Sequence, residues 1–136
     1  SWYFVTVDNA FGHNVEASLA AIVRENGGTV VGAVRHEFGE REIFPKLRQA
    51  ALSGAEVIAL VNAGQDMILS VRKSFDLLRV SKGETMLAAV ATALNDVHEM
   101  KPQLAQGLRL AHAFYWNMDA EARAWSKRFH ARTGAM

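Results

Sequence analysis

SWYFVTVDNAFGHNVEASLAAIVRENGGTVVGAVRH, residues 1–36, decides the fold. Residues 2–7 are an apolar, β-rich run bounded by Asp8-Asn9 and Gly12, which reads as a strand ending in a turn. Val15, Leu19, Ile22 and Val23 then recur on one helical face across residues 13–26, and Gly27-Gly28 supplies a left-handed stop. Residues 29–35 (TVVGAVR) form a second strand, and 36–41 a polar loop with Gly39. Strand, helix and strand in this order make one parallel crossover unit.

The unit repeats downstream. Residues 43–53 read as a second helix with Pro45 in its first turn, Leu47 and Ala51 on its inner face, and Gly54 as its stop. Val57–Val61 is apolar throughout, as befits a strand covered on both faces. A third helix spans about 66–78, with Ile68, Val71, Phe75 and Leu78 at helical spacing, and 79–83 is a polar connection. Residues 84–91 read as a fourth strand, with helix as the competing reading of the Ala-rich 86–94. Residues 107–113 (GLRLAHA) read as a fifth strand. Asp119 caps a last helix whose inner face is Ala122, Trp125 and Phe129. The alternation predicts an α/β fold, a three-layer αβα sandwich on a mainly parallel five-stranded sheet of Rossmann or flavodoxin-like kind. Residues 1–136 form a single α/β lobe in this reading.

Composition narrows the function. Fifteen Lys and Arg against 14 Asp and Glu leave a net charge of +1, without the basic excess that nucleic-acid binding wants. The absence of cysteine excludes thiolate nucleophiles, disulfides and Cys-based metal sites. The longest apolar run, residues 86–94, is far short of a membrane span, and the start carries no basic leader of signal-peptide type. No GxGxxG, GxxxxGK[ST], GxSxG or HExxH motif occurs. The expectation is a chain that is not an enzyme and carries neither cofactor nor metal.

In parallel sheets ligands bind beyond the carboxyl ends of the strands, so the turns there hold the candidates. Asp8, Asn9 and Phe11 open the first helix, where free N–H groups suit a small anion, although Asp8 or Asn9 can equally serve as a cap. Asn62, Gly64 and Gln65 follow the third strand, and small residues there admit a ligand to the backbone. Asp96 lies with His98 and Glu99 in the turn expected after the fourth strand. Tyr115 and Trp116, with Phe114, follow the fifth, and can wall a small organic ligand or pack against another surface.

Together these residues resemble a known group. WYFVTVDNAFGH (2–13), GGTVVGAVRH (27–36), SGAEVIALVNAG (53–64), Asp96–His98 and QGLRLAHAFYWNMDAEARAWSKRF (106–129) are similar to the extracytoplasmic solute-binding proteins of ABC importers, in particular the type I periplasmic binding fold of the Leu/Ile/Val-binding kind. That fold has two α/β lobes joined by three crossovers, and this chain resembles the second. The first lobe, the signal peptide and the final return segment lie outside the resemblance, which implies a cut-out lobe or the product of a truncated gene. By position, the resemblance implies ligand contacts at Phe11, at Gly64 and Gln65, and near Asp96, which meets the ammonium in amino-acid binders. Asn9 and Gln65 or Asp66 stand where many relatives carry tyrosine, so the ligand stays open among amino acids, amides and aromatic carboxylates. The implied location is the periplasm, and the implied partners are a small-molecule ligand, the missing lobe and an ABC permease. The alternatives are a regulatory ligand-sensing domain and an orphan lobe that forms a homodimer through Phe114, Tyr115 and Trp116.

Overall fold

A computed structural model describes residues 1–77 and 84–134. Five strands, β1 (Trp2–Val7), β2 (Val30–His36), β3 (Val57–Val61), β4 (Met86–Ala89) and β5 (Arg109–Leu110), form one sheet in the order β2-β1-β3-β4-β5. Every pairing is parallel. The helices are α1 (Ala10–Glu25), α2 (Phe44–Leu52), α3 (Gly64–Leu77), α4 (Leu94–Met100), α5 (Pro102–Ala105) and α6 (Ala120–Thr133). The expected end of the third helix at Leu78 and the connection 79–83 lie outside the described residues.

Strand alternation explains the layers. Tyr3 and Val5 of β1 and Ile58 and Leu60 of β3 point to one face, where they pack with Ile43 and Leu47 before and in α2 and with Met67, Ile68 and Val71 of α3. Phe4, Ala59 and Val61 point to the other, against Val15, Leu19 and Ala20 of α1. The sheet is thus sandwiched as its sequence predicts.

Two glycines fix the placement of α1. Gly12 sits where the helix leaves β1, and a Cβ there would stand 1.9 Å from the Val7 carbonyl oxygen. Gly27 ends the helix at φ +77°, with its N–H donating to Arg24 O and the Gly28 N–H to Val23 O. That pair of bonds is the left-handed stop the Gly-Gly pair predicts.

Three expectations are corrected. The fifth strand is only two residues long, so 111–119 runs as irregular chain. Residues 95–98, read as a turn, lie in helix α4. Asp119 does cap α6, accepting from Ala122 N at 2.7 Å, but the inner face of α6 is Ala122 and Ser126. Trp125 and Phe129 lie on the same stripe as Ala122 yet are 47% and 41% exposed, because their rings line an open cavity rather than packing on the sheet.

Gly12→Ala is expected to cost roughly 2–4 kcal/mol, since backbone must move to admit the methyl group. Gly27→Ala meets nothing within 4 Å and should cost only about 1 kcal/mol, from its left-handed backbone. Urea midpoints of the two variants check this, and equal losses would contradict the close approach of α1 to β1.

Candidate functional site

Strand order reverses between β1 and β3, so the crevice outside their carboxyl ends is where a ligand is sought. The β1–α1 turn is bonded to itself. Asn9 Oδ1 accepts from Gly12 N at 2.9 Å and caps α1. Asp8 Oδ1 lies 2.6 Å from His13 Nε2, and Arg35 Nη1 lies 2.9 Å from that same nitrogen. One ring nitrogen cannot donate to Asp8 and accept from Arg35 at once, so it makes one of the two bonds at a time. Phe11 stands exposed beside this cluster.

The β3–α3 turn rests on a buried polar network. Asn62 is fully buried; its Nδ2 donates to Ser70 Oγ at 3.0 Å and lies 3.2 Å from His36 Nε2. His36 Nδ1 faces Glu37 O at 2.9 Å, so the ring donates there and accepts from Asn62, which makes it the neutral Nδ1–H tautomer. Ser70 Oγ donates onward to Asp66 O at 2.7 Å. Asp66 Oδ2 in turn accepts from Gly39 N at 3.0 Å, which ties the loop after β2 to the start of α3. Asn62 Oδ1 and Thr6 Oγ1 are buried without a partner among the described residues. Asn62 therefore supports the turn from below, while Gly64 and Gln65 are on its surface. Gln65 Nε2 donates to Glu99 Oε1 at 2.8 Å, joining α3 to α4.

Beyond β4 and β5 a cavity of about 430 Å³ opens. Phe114, Tyr115, Trp116, Trp125 and Phe129 give it aromatic walls, with Asn95, His98, His112 and Ser126 as its polar groups. Trp125 stacks on Phe129 at 5.1 Å and meets Phe114 edge-on at 5.7 Å. Ser126 is buried, and among the described residues its hydroxyl has no hydrogen-bond partner. Asp96 does not line this space, because its Oδ2 accepts the Ala93 N–H at 2.8 Å at the start of α4.

Eight of the nine residues singled out from sequence thus fall into three groups, and the ninth, Asp96, stands apart at the start of α4. Tyr115 and Trp116 share the cavity; Asp8, Asn9 and Phe11 form the first turn; Asn62, Gly64 and Gln65 form the third. Sequence reasoning placed His98 in a turn at this edge but singled out neither it nor Asn95, His112, Trp125, Ser126 and Phe129 as cavity residues. The i, i+3 spacing of Asn95 and His98 would have shown them on one face, had α4 been recognised as a helix.

Glu40 carries the clearest electrostatic signature near these turns. The Lys46 ammonium beside it, burial notwithstanding, holds its carboxyl below the usual carboxylate range. Its Oε2 also accepts from Glu37 N at 3.1 Å, so the pair pins the loop after β2.

Over residues 1–136 the chain matches a family model described as periplasmic binding protein. None of the curated proteins compared with it matches. Among solved structures it is similar to a periplasmic binding protein from Burkholderia mallei, with 36% identity and a TM-score of 0.82, covering 99% of this chain and 36% of that one. It is similar to a branched chain amino acid ABC transporter periplasmic ligand-binding protein from Burkholderia xenovorans LB400, with 32% identity, a TM-score of 0.86 and the same coverage. A solute-binding protein of an ABC transporter from R. palustris, solved in complex with 4-hydroxybenzoate, shares the fold at 20% identity and a TM-score of 0.77, over 96% of this chain and 36% of that one. The chain spans just over a third of the length of these proteins.

A carboxylate with a lowered pKa stabilises the fold above the unfolded-state pKa, and that contribution disappears as pH falls through the folded value. Lys46→Met should therefore lower the urea midpoint at pH 6, with the gap to the parent chain closing progressively below pH 4.5. A gap that persists undiminished at pH 2.5 would contradict the assignment.

Proposed function

The chain belongs to the periplasmic binding protein family, and on that premise we propose that it is one lobe of an extracytoplasmic ABC-importer binding protein for a small organic solute. The observation that carries this reading is the aromatic cavity beyond β4 and β5. Its volume of about 430 Å³ falls in the range of small-ligand sites, which are mostly apolar with a few placed polar groups. Flat rings on its walls suit a branched or aromatic body. The Ser126 hydroxyl, buried and unpartnered, and the ring nitrogens of His98 and His112 suit a carboxylate or hydroxyl head.

In this reading Tyr115 and Trp116 make the principal contacts. Phe11, Gly64 and Gln65 extend the same edge toward the switch point between β1 and β3. Asp8, Asn9 and Asp96 are engaged locally, with His13, the first turn of α1 and the start of α4 respectively. Asn62 acts from beneath the surface. The mechanism is closure of a second lobe over the solute, followed by recognition of the closed form by a permease. The relatives are periplasmic by name, and the periplasm is the proposed location. Among the described residues no helix is long and apolar enough to cross a membrane.

The test is a thermal-shift titration of the chain with leucine, isoleucine, valine and 4-hydroxybenzoate. At least one should raise the melting temperature saturably. Trp116→Ala should weaken that binding about thirty-fold, near 2 kcal/mol, as expected for loss of an aromatic anchor. Absence of any shift at millimolar solute, or an unchanged response in Trp116→Ala, would overturn the proposal.

A further inference from the structure

Helix α6 carries a charge distribution that the rest of the chain does not share. Arg123, Lys127, Arg128 and Arg132 stand on it against the single carboxylate of Glu121. The whole chain has 15 Lys and Arg against 14 Asp and Glu, so the residues outside α6 carry more acids than bases. Positive charge is thus gathered on one 14-residue element.

The packing turns those cations toward water. Only Ala122 and Ser126 of α6 are buried, and all four cationic residues are exposed. At about 100° per residue, Arg123 and Lys127 lie on one side of the outward ridge formed by Ala124 and Ala131, and Arg128 and Arg132 on the other. Each pair is spaced i, i+4, where like charges repel and weaken the helix. Among the described residues none of the four makes an ion pair. Arg123 reaches only the neutral Asn117 Oδ1, at 3.4 Å. The acids at the start of the helix do not relieve the second pair. Asp119 is its cap, and Glu121 precedes Arg128 by about 10 Å along the axis, beyond a Debye length of about 8 Å in physiological salt. On this second side Trp125 and Phe129 join Arg128 and Arg132 around a shallow groove of about 240 Å³.

Two ladders of like charge weaken the helix, and a polyanion outside the chain removes that repulsion. The four charges spread over the outward half of the helix and converge on no single point. They match a plane of many anions rather than one directed group. A basic helix flanked by an exposed tryptophan has the make-up of helices that lie on anionic bilayers. We propose that α6 is a docking face for an anionic lipid surface. Arg123, Lys127, Arg128 and Arg132 meet the lipid phosphates, and Trp125 stands at the border of the contact. The Ser126 side of the helix faces the aromatic cavity, so the lipid contact and the solute site use different sides of one element.

The test is cosedimentation of the chain with two kinds of vesicle, phosphatidylcholine alone and phosphatidylcholine with phosphatidylglycerol in equal amounts. The chain should pellet with the mixed vesicles and stay in solution with the neutral ones. Sodium chloride at about 0.5 M should release it, because screening shortens the reach of each charge. The double variants Arg123→Gln with Lys127→Gln, and Arg128→Gln with Arg132→Gln, should each weaken partitioning about twenty-five-fold, the product of about five-fold for each cation removed. Both should melt no lower than the parent chain, because each loses a like-charge pair. Arg41→Gln with Arg48→Gln makes the same change in net charge at exposed positions outside α6, and should bind as the parent does. The proposal is overturned if the chain pellets with both kinds of vesicle equally or with neither, if both α6 variants partition as the parent does, or if the Arg41 and Arg48 variant loses as much. Retention on polyglutamate by a chain that ignores the mixed vesicles would also overturn it, in favour of an acidic protein partner.

Discussion

Everything at the functional edge hangs on the pairing of β1 with β3. These two strands are buried on both faces, and their residues alternate between two separate apolar clusters. A slip of one residue would exchange the two sets, sending Phe4 to the side shaped for Tyr3 and Val5. The register is therefore fixed by packing, with Trp2 opposite Val57 and Thr6 opposite Val61. That register sets the β1–α1 and β3–α3 turns side by side at the point where the strand order reverses. Gly12 lets α1 close directly onto the end of β1, and no side chain could occupy that space without pushing the helix away.

Behind the edge, the polar residues act as a fastening. His36, Asn62, Ser70 and Asp66 link the ends of β2 and β3 to the first two turns of α3 and, through Gly39, to the loop after β2. Each donor in that chain finds one acceptor only if the imidazole is neutral and its proton is on Nδ1. The network lies in a low-dielectric interior, where an unmatched group costs far more than on the surface. Asn62 Oδ1 and Thr6 Oγ1 remain unmatched within it, so the network trades some stability for a fixed arrangement of three turns. Fixed turns are what a binding surface needs, since each loop ordered on binding subtracts from affinity.

The sequence made the strong elements legible. β1 and β3 are continuous apolar runs, α1 ends on a Gly-Gly stop, and Asp119 caps α6, and each of these signals is local. The resemblance to type I periplasmic binding proteins was legible too, carried by collinear segments such as WYFVTVDNAFGH and SGAEVIALVNAG. What failed was non-local. β5 is a strand only because Ala88 and Ala89 lie beside Arg109 and Leu110, and pairing of two residues leaves no periodicity. α4 has seven residues, too few for a helical pattern to stand out against the Ala-rich run before it. Trp125 and Phe129 were read as core because apolar residues at helical spacing usually are; here they form a cavity wall. The grouping of the candidate residues could not be read at all, because Asp96 is drawn into the bond that opens α4 and Asn62 into a buried network with His36 and Ser70 that only the folded chain brings together.

Toward β5 the edge is aromatic, and the polar groups among the rings are the Ser126 hydroxyl, the Asn95 amide and the imidazoles of His98 and His112. An aromatic wall open on one side removes water from only one face of a bound solute, so most of its capacity to bind is unused until another surface covers it.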